Sequence, residues 1–352
     1  MSHGALAVDA RHEANRQSWN AATAQHRTHK PALVADYCRG FCKLFPEDHW
    51  LLTASEATLR GPMPSATLVF TTDGVAAPPG ALRGLDVVHL QCNDGQDTVS
   101  IATSLGPATV VGVDISDTAI ALANELRDAM LASGRFEDPL GDGAAAATTH
   151  VSFERADVVA FAADPRRAAT ADVVFVSYGA LCWQADVGAF CRAAASLLRP
   201  GGRLVIIDFH ATGMSADFGG DASDCADAAA PLTTLRDHTT GGACTKFDDG
   251  VGDYVGDDFE GAFRNPHASF EFAWGVGDVA TAALAAGLRI AHLSELPYSN
   301  GYRCHPAVVP SVDGVAPATA AQVAALEAGV ATGPRTPQAA RYVPPPHAPR
   351  LR

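Results

Sequence analysis

VVHLQCNDGQDTVSIA, Val87 to Ala102, is the stretch on which the fold turns. An apolar run, Val87-Val88-His89-Leu90, reads as a strand. The polar turn Gln91-Cys92-Asn93-Asp94-Gly95 follows, and a helix-like segment runs from Gln96 to Leu105. Strand, tight turn and helix together make an anion holder, because a helix start offers unpaired N–H donors and a positive dipole end. A dinucleotide site would need GxGxxG so that backbone can approach a pyrophosphate. Here Gln91 and Asn93 stand where glycines are wanted, and only Gly95 remains. That spacing argues against a pyrophosphate cradle, and so against a nucleotide-dependent oxidoreductase.

Strand and helix patterns alternate downstream. GQDTVSIATSL reads as a helix closed by Gly106, and TVVGVDI as a strand. Ser116 can cap the helix DTAIALANELRDAMLA. VSFERADV and ADVVFVSYGAL read as strands, DVGAFCRAAASLL as a helix, RPGG as a turn and RLVIIDFH as a strand. The expected fold is α/β: a Rossmann-like, doubly wound, mostly parallel sheet with helices on both faces. Its ligand edge lies at the carboxyl ends of the strands. Residues 1–80 are expected to form an N-terminal helical cap and linker, 81–303 the sheet domain, and 304–352 an Ala/Pro-rich extension. Residues 211–265 are rich in Gly, Asp and Ala. They read as a lid-like insertion before a last helix, DVATAALAAGL, and a last strand, RIAHLSEL.

Two acids share the ligand edge. Asp114 ends the second strand about 20 residues after the turn, where a ribose-binding carboxylate belongs. Asp157 ends the third strand and is placed to accept from an adenine amino group. Together these strand ends suggest an adenosine ligand without a pyrophosphate.

The chain has 352 residues, 47% of them apolar, and a formal net charge of −14. The acidic balance argues against a nucleic-acid partner. Eight scattered cysteines include no CxxC pair or zinc-finger spacing, and read as reduced thiols of an intracellular protein. No apolar signal core or run of roughly 20 apolar residues occurs, so a cytoplasmic protein without a membrane partner is expected. The acidic cluster Asp248, Asp249, Asp253, Asp257 and Asp258 lacks the spacing of a calcium loop, and no metal is expected.

The segment from about 85 to 300 resembles the class I S-adenosylmethionine-dependent methyltransferases. The turn is similar to the family's first motif, apolar-apolar-Asp/Glu-apolar-Gly-x-Gly-x-Gly. ADVVFVSYGALCW resembles its fourth-strand motif, and LLRPGGRLVIIDFH the helix-turn-strand after it. HLQCNDGQDT and NRQSWNAAT (15–23) resemble a subgroup whose first motif is His-Leu-Gln-Cys. DDGVGDYV (248–255), FRNPH (263–267) and LPYSNGY (296–302) resemble it too. The chain departs from the wider family at His89, Gln91 and Asn93, and shows no clear final apolar strand.

The resemblance implies S-adenosylmethionine as cofactor and a small-molecule acceptor. It assigns Gln91, Cys92, Asn93 and Gly95 to the methionine part. Asp114 with Ile115 serves the ribose, Asp157 with Val158 the adenine, and Ser177 lies beside the methyl group. Tyr178 shapes the acceptor side, and His210 is the first candidate for a base, since imidazole titrates near neutrality. His29 and Lys30, in HRTHK, are expected to fold over the cofactor from the N-terminal segment, and His29, Tyr298 and Asn300 are further acceptor-side candidates. Plainer readings stand beside each: Gly95 as a helix start, Asp114 and Asp157 as caps or turn formers, Tyr178 as core, His210 as a structural histidine. A degenerate cofactor-binding or scaffold domain is the alternative to an enzyme. The sequence sets no oligomeric state.

Overall fold

The structure is a computed structural model. It describes residues 9–60, 82–137, 139, 148–210, 216–217, 233–234, 240–253, 255 and 263–295. Chain contacts divide it into two units. The first comprises Met1–Leu44, Ala77–Asp208 and Thr240–Ile290; the second comprises Phe45–Ala76, Phe209–Thr239 and Ala291–Arg352. The described residues 9–44 thus fall in the same unit as the sheet.

In the first unit, five strands form one parallel sheet: β1 (Asp86–Leu90), β2 (Thr109–Asp114), β3 (His150–Arg155), β4 (Ala171–Ser177) and β5 (Leu198–Ile207). Their order is β3-β2-β1-β4-β5. The order reverses between β1 and β4, the switch point beside which ligands of such sheets bind. Central strands are covered on both faces, which explains their near-continuous apolar sequences. Val88 and Leu90 of β1 join Val174 and Val176 of β4 on one face. Phe161 of α7 (Val158–Ala162) and Phe190, Cys191, Ala194 and Leu197 of α8 (Val187–Leu197) pack there. Helix α9 (Val276–Ala285) adds Val279, Ala282 and Ala283 to the same cluster. Helices α5 (Gln96–Leu105) and α6 (Asp117–Ala132) cover the other face. There the ring of Phe153 fills the space beside Gly112 and Ala123.

Local chemistry sets the helix ends as expected. Ser116 accepts the Ala119 N–H at 3.1 Å, Asp186 caps α8, and Gly106 closes α5 at a φ of 58°. The N-terminal chain gives α1 (Ala10–Thr28) and α2 (Leu33–Cys38). An antiparallel hairpin, β8 (Ala243–Phe247) with β9 (Ser269–Ala273), stands apart from the main sheet.

One expectation fails. RIAHLSEL reads as a strand, but its described residues, 289–295, form none. Arg289 and His292 interrupt its apolar pattern, and Ile290 and Leu293 remain 39% and 62% exposed. The apolar side chains gain no covered face, so nothing favours pairing. Among the described residues β5 is an edge of the sheet.

The second unit holds α3 (Pro46–Thr53), α4 (Glu56–Leu59) and a two-residue ladder, β6 (Ala216–Asp217) with β7 (Thr233–Thr234). Within it, His292 bonds the Leu59 carbonyl at 2.9 Å and meets Trp50 edge-on. No helix among the described residues is long and apolar enough to cross a membrane.

Candidate functional site

The β1–α5 turn answers the question raised by its missing glycines. Gln91, Asn93 and Gly95 have φ of 56°, 50° and 78°. The three positions of the Gly-x-Gly-x-Gly pattern thus keep the left-handed backbone that glycine adopts freely. Asparagine tolerates that region, whereas glutamine takes it at a cost of about 1 kcal/mol or more. Bonds around the turn offset this. Gln91 Nε2 donates to the Ala180 carbonyl at 2.9 Å, Cys92 N–H to Val113 at 3.0 Å, and Asn93 N–H to Asp114 at 2.9 Å. Gly95 is required for a second reason: an added Cβ would lie 2.6 Å from Phe153 and 2.8 Å from Ala123. The side chain it lacks would strike the protein's own core.

Asp114, at the end of β2, ties two loops together. One oxygen accepts from Asn93 N–H and the other from Ser116 N–H at 2.8 Å. Burial pushes its carboxyl up to about 6, against the lowering effect of those backbone bonds. A carboxylate has about four acceptor positions, so capacity remains for a ribose hydroxyl. Ile115 follows it, partly buried.

A closed polar network lies on the opposite side of the turn. Ser177 Oγ donates to Asp97 Oδ2 at 3.0 Å and stands 3.2 Å from His89 Nε2. A carboxylate only accepts, so Ser177 gives its proton to Asp97 and accepts from His89 Nε2–H. His89 Nδ1 then accepts from Thr98 Oγ1 at 2.8 Å. Lys43 completes the chain at 3.2 Å from Asp97 Oδ1. Burial drives His89 down to about 4, so the imidazole is neutral. Burial also raises the Asp97 carboxyl, but Lys43, His89 and Ser177 outweigh it and hold the group below its ordinary value. The acid missing at His89 is thus matched by a buried carboxylate from the first turn of α5. Sequence reasoning missed Asp97 and Lys43. A single acid in a helix start carries no signal of what lies across from it.

Helix α1 crosses the carboxyl edge of the sheet. His12 Nε2 accepts the Ala185 N–H at 3.0 Å, so its proton sits on Nδ1 and is donated to Asp157 Oδ2 at 2.8 Å. Asp157 Oδ1 caps α7 through Val159 N–H at 2.9 Å and Ala160 N–H at 3.2 Å. Burial raises this carboxyl, while His12 and the capping bonds bring it below its ordinary value. Both oxygens are therefore engaged, and the Val158 side chain is buried in the core. Further along, Asn20 Oδ1 accepts from Ser116 Oγ at 2.7 Å and Thr118 N–H at 3.2 Å. Trp19 meets Trp183 edge-to-face at 5.4 Å.

Three of the stretches that resemble the subgroup, NRQSWNAAT, DDGVGDYV and FRNPH, meet along α1. Asn15 pairs with both backbone groups of Phe270 in β9. Asn265 of FRNPH donates to the carbonyls of Ser18 and Val251 at 2.8 and 3.0 Å. Ser18 Oγ accepts the Val251 N–H at 2.8 Å. His29 Nε2 lies 2.7 Å from Asp253, which Gln25 also reaches at 2.9 Å. Tyr178 follows β4 with a φ of 22°, an uncommon backbone for a bulky residue. Asp208, after β5, accepts from the N–H groups of Gly179, Ala180 and Leu181, fixing the loop after β4. His210 belongs to the second unit and pairs with Glu295 at 2.6 Å, both side chains exposed. Tyr298, Asn300, Asp257 and Asp258 lie outside the described residues. Among the described residues no cluster of three or more His, Cys, Asp or Glu is arranged to hold a metal.

Residues 88–206 match the family model described as "Methyltransferase domain". No curated protein matches the chain. Among solved structures, a S-adenosylmethionine dependent methyltransferase from Mesorhizobium loti is 20% identical. That match covers 63% of this chain and 80% of the other at a TM-score of 0.39. YcgJ from Bacillus subtilis is 16% identical over 38% of this chain and 47% of its own, at 0.29. Geranyl diphosphate C-methyltransferase from Streptomyces coelicolor is 16% identical over 41% and 45%, also at 0.29. The chain thus spans about half the length of the last two proteins, and these likenesses carry no argument about function. The family match falls on the sheet and turn described above.

Proposed function

We propose that this chain transfers a methyl group from S-adenosylmethionine to a small-molecule acceptor by in-line displacement. The observation that carries the reading is the β1–α5 turn, left-handed at Gln91, Asn93 and Gly95 and bonded to Asp114. The net charge of −14 supports a small acceptor over nucleic acid.

When bound, the cofactor supplies an electrophilic methyl carbon on a sulfonium. The protein's part is placement at near-attack distance. The turn from Gln91 to Gly95 holds the methionine end, with Cys92 packed beneath it. Asp114 accepts from the ribose hydroxyls, and Ile115 flanks the adenine, with Val158 packed in the core behind it. Asp157 shapes the adenine wall; with both oxygens engaged it positions the chain around His12 more readily than it bonds the base. Ser177, committed to Asp97, forms the floor near the methyl group. Tyr178 and His29 serve the acceptor side.

The test is formation of S-adenosylhomocysteine by the purified chain with a panel of small phenols, amines, thiols and carboxylic acids. Acceptor-dependent release supports an enzyme. Tight binding of S-adenosylhomocysteine without release from any acceptor supports the degenerate or scaffold alternative instead.

A further inference from the structure

Two lysines of the N-terminal segment reach the β1–α5 turn, and they differ. Lys43 lies 3.2 Å from Asp97, within a closed network. Lys30 Nζ lies 3.8 Å from Asp94 Oδ2, too far for a hydrogen bond. Their side chains are only 28% and 14% exposed. Asp94 Oδ2 is otherwise bonded to Gln96 Nε2 at 2.7 Å. The Lys30 backbone is fixed: its carbonyl accepts from Arg27 Nη1 at 2.7 Å and from Leu33 N–H at 3.2 Å. Gln91 Oε1, in the same turn, is buried with no hydrogen-bond partner among the described residues.

A lysine taken largely out of water without a bonded anion bears a desolvation cost that a 3.8 Å contact repays poorly. Burial accordingly holds its pKa below the ordinary lysine value. A closed pair like Lys43–Asp97 needs nothing more. An open pair has room for a group that carries both charges. The amino-acid end of S-adenosylmethionine is such a group: a carboxylate and an ammonium on one carbon. The α5 N-terminus beside it favours the carboxylate further.

We infer that Lys30 and Asp94 hold the amino-acid end of the cofactor between them, Lys30 on the carboxylate and Asp94 on the ammonium. Gln91 Oε1 is the second acceptor for that ammonium. The inference rests on the cofactor assignment made under the proposed function. It makes the segment after α1 part of the cofactor site.

The experiment is calorimetric titration of the full chain with two probes. S-adenosylhomocysteine carries the amino-acid end; 5′-methylthioadenosine keeps the adenosine and thioether but lacks it. In the unaltered chain S-adenosylhomocysteine binds more tightly. Lys30→Met weakens S-adenosylhomocysteine about tenfold or more and leaves 5′-methylthioadenosine within about twofold. Asp94→Asn acts in the same selective way, and Lys30→Arg restores much of the loss. Equal weakening of both probes, or of neither, overturns the inference, because a structural role would not distinguish them. Equal affinity of the unaltered chain for both probes overturns it too. Failure of the unaltered chain to bind either probe would instead remove the cofactor assignment itself.

Discussion

The two sides of the β1–α5 turn use the same residue types to opposite ends. On one side Asp97 is bonded to Ser177, paired with Lys43 and followed by a neutral His89, so its charge is satisfied. On the other, Asp114 and Asp94 accept from backbone or side-chain N–H groups, Lys30 stands 3.8 Å from Asp94, and the Asp114 carboxyl is raised to about 6. The first side is finished by the fold. The second is left with capacity that a ligand can use. Burial alone does not separate the two acids; a cation within hydrogen-bond distance, Lys43 at Asp97, does.

Four perturbations test that contrast. Gly95→Ala destroys the frame of both sides, since the new methyl meets Phe153 and the backbone is left-handed. A loss of about 3 kcal/mol or more is expected from urea midpoints. Lys43→Met opens the finished side, leaving Asp97 with an uncompensated charge. About 2 kcal/mol of stability should go, less than for a fully buried pair because Lys43 is 35% exposed.

The third prediction concerns pH. His89 is held to about 4 in the folded chain, below its ordinary 6.5, so the unfolded chain takes up the proton first. Its contribution to stability is lost as pH falls from 6.5 toward 4. Asp114 behaves oppositely: its folded pKa is raised from 3.8 to about 6, so the folded chain keeps the proton longer. Its contribution is lost as pH rises from 4 to 6. The two slopes offset each other in the unaltered chain. Asp114→Asn should therefore expose a rise in melting temperature with pH between 4 and 6.5, and a flat profile in that variant would refute the assignment. Cofactor affinity should follow the ionised form of Asp114 and weaken as pH falls below about 6.

The smallest effect on cofactor binding is expected at the brace between α1 and Asn265. Asn265→Ala removes the bonds joining Asn265 to Ser18 and Val251, costing about 2 kcal/mol with little change in binding of S-adenosylhomocysteine. A change in affinity larger than the loss of stability would show that the α1 brace acts on the site directly.

The sheet was legible because its strands are short apolar runs closed by turn residues, and its helices carry recognisable caps such as Ser116 and Gly106. The carboxyl edge followed from right-handed crossovers. What escaped was non-local. The hairpin of ACTKF and SFEFA pairs residues more than 20 positions apart, inside a stretch of weak periodicity. RIAHLSEL has the composition of a strand, but no covered face rewards it. The position of Asp114 at the end of β2 was legible from the sequence. The partners of Asp97 and Asp157 come from Lys43 and His12, and no spacing rule connects those residues. The departures at Gln91 and Asn93 looked like losses because side chains are read from sequence and φ is not.

The most direct test is calorimetric titration of S-adenosylhomocysteine into the unaltered chain and Asp114→Asn at pH 7.5. The account predicts saturable one-to-one binding to the first and affinity weaker by about tenfold or more in the second. Equal affinity in the two chains would contradict it.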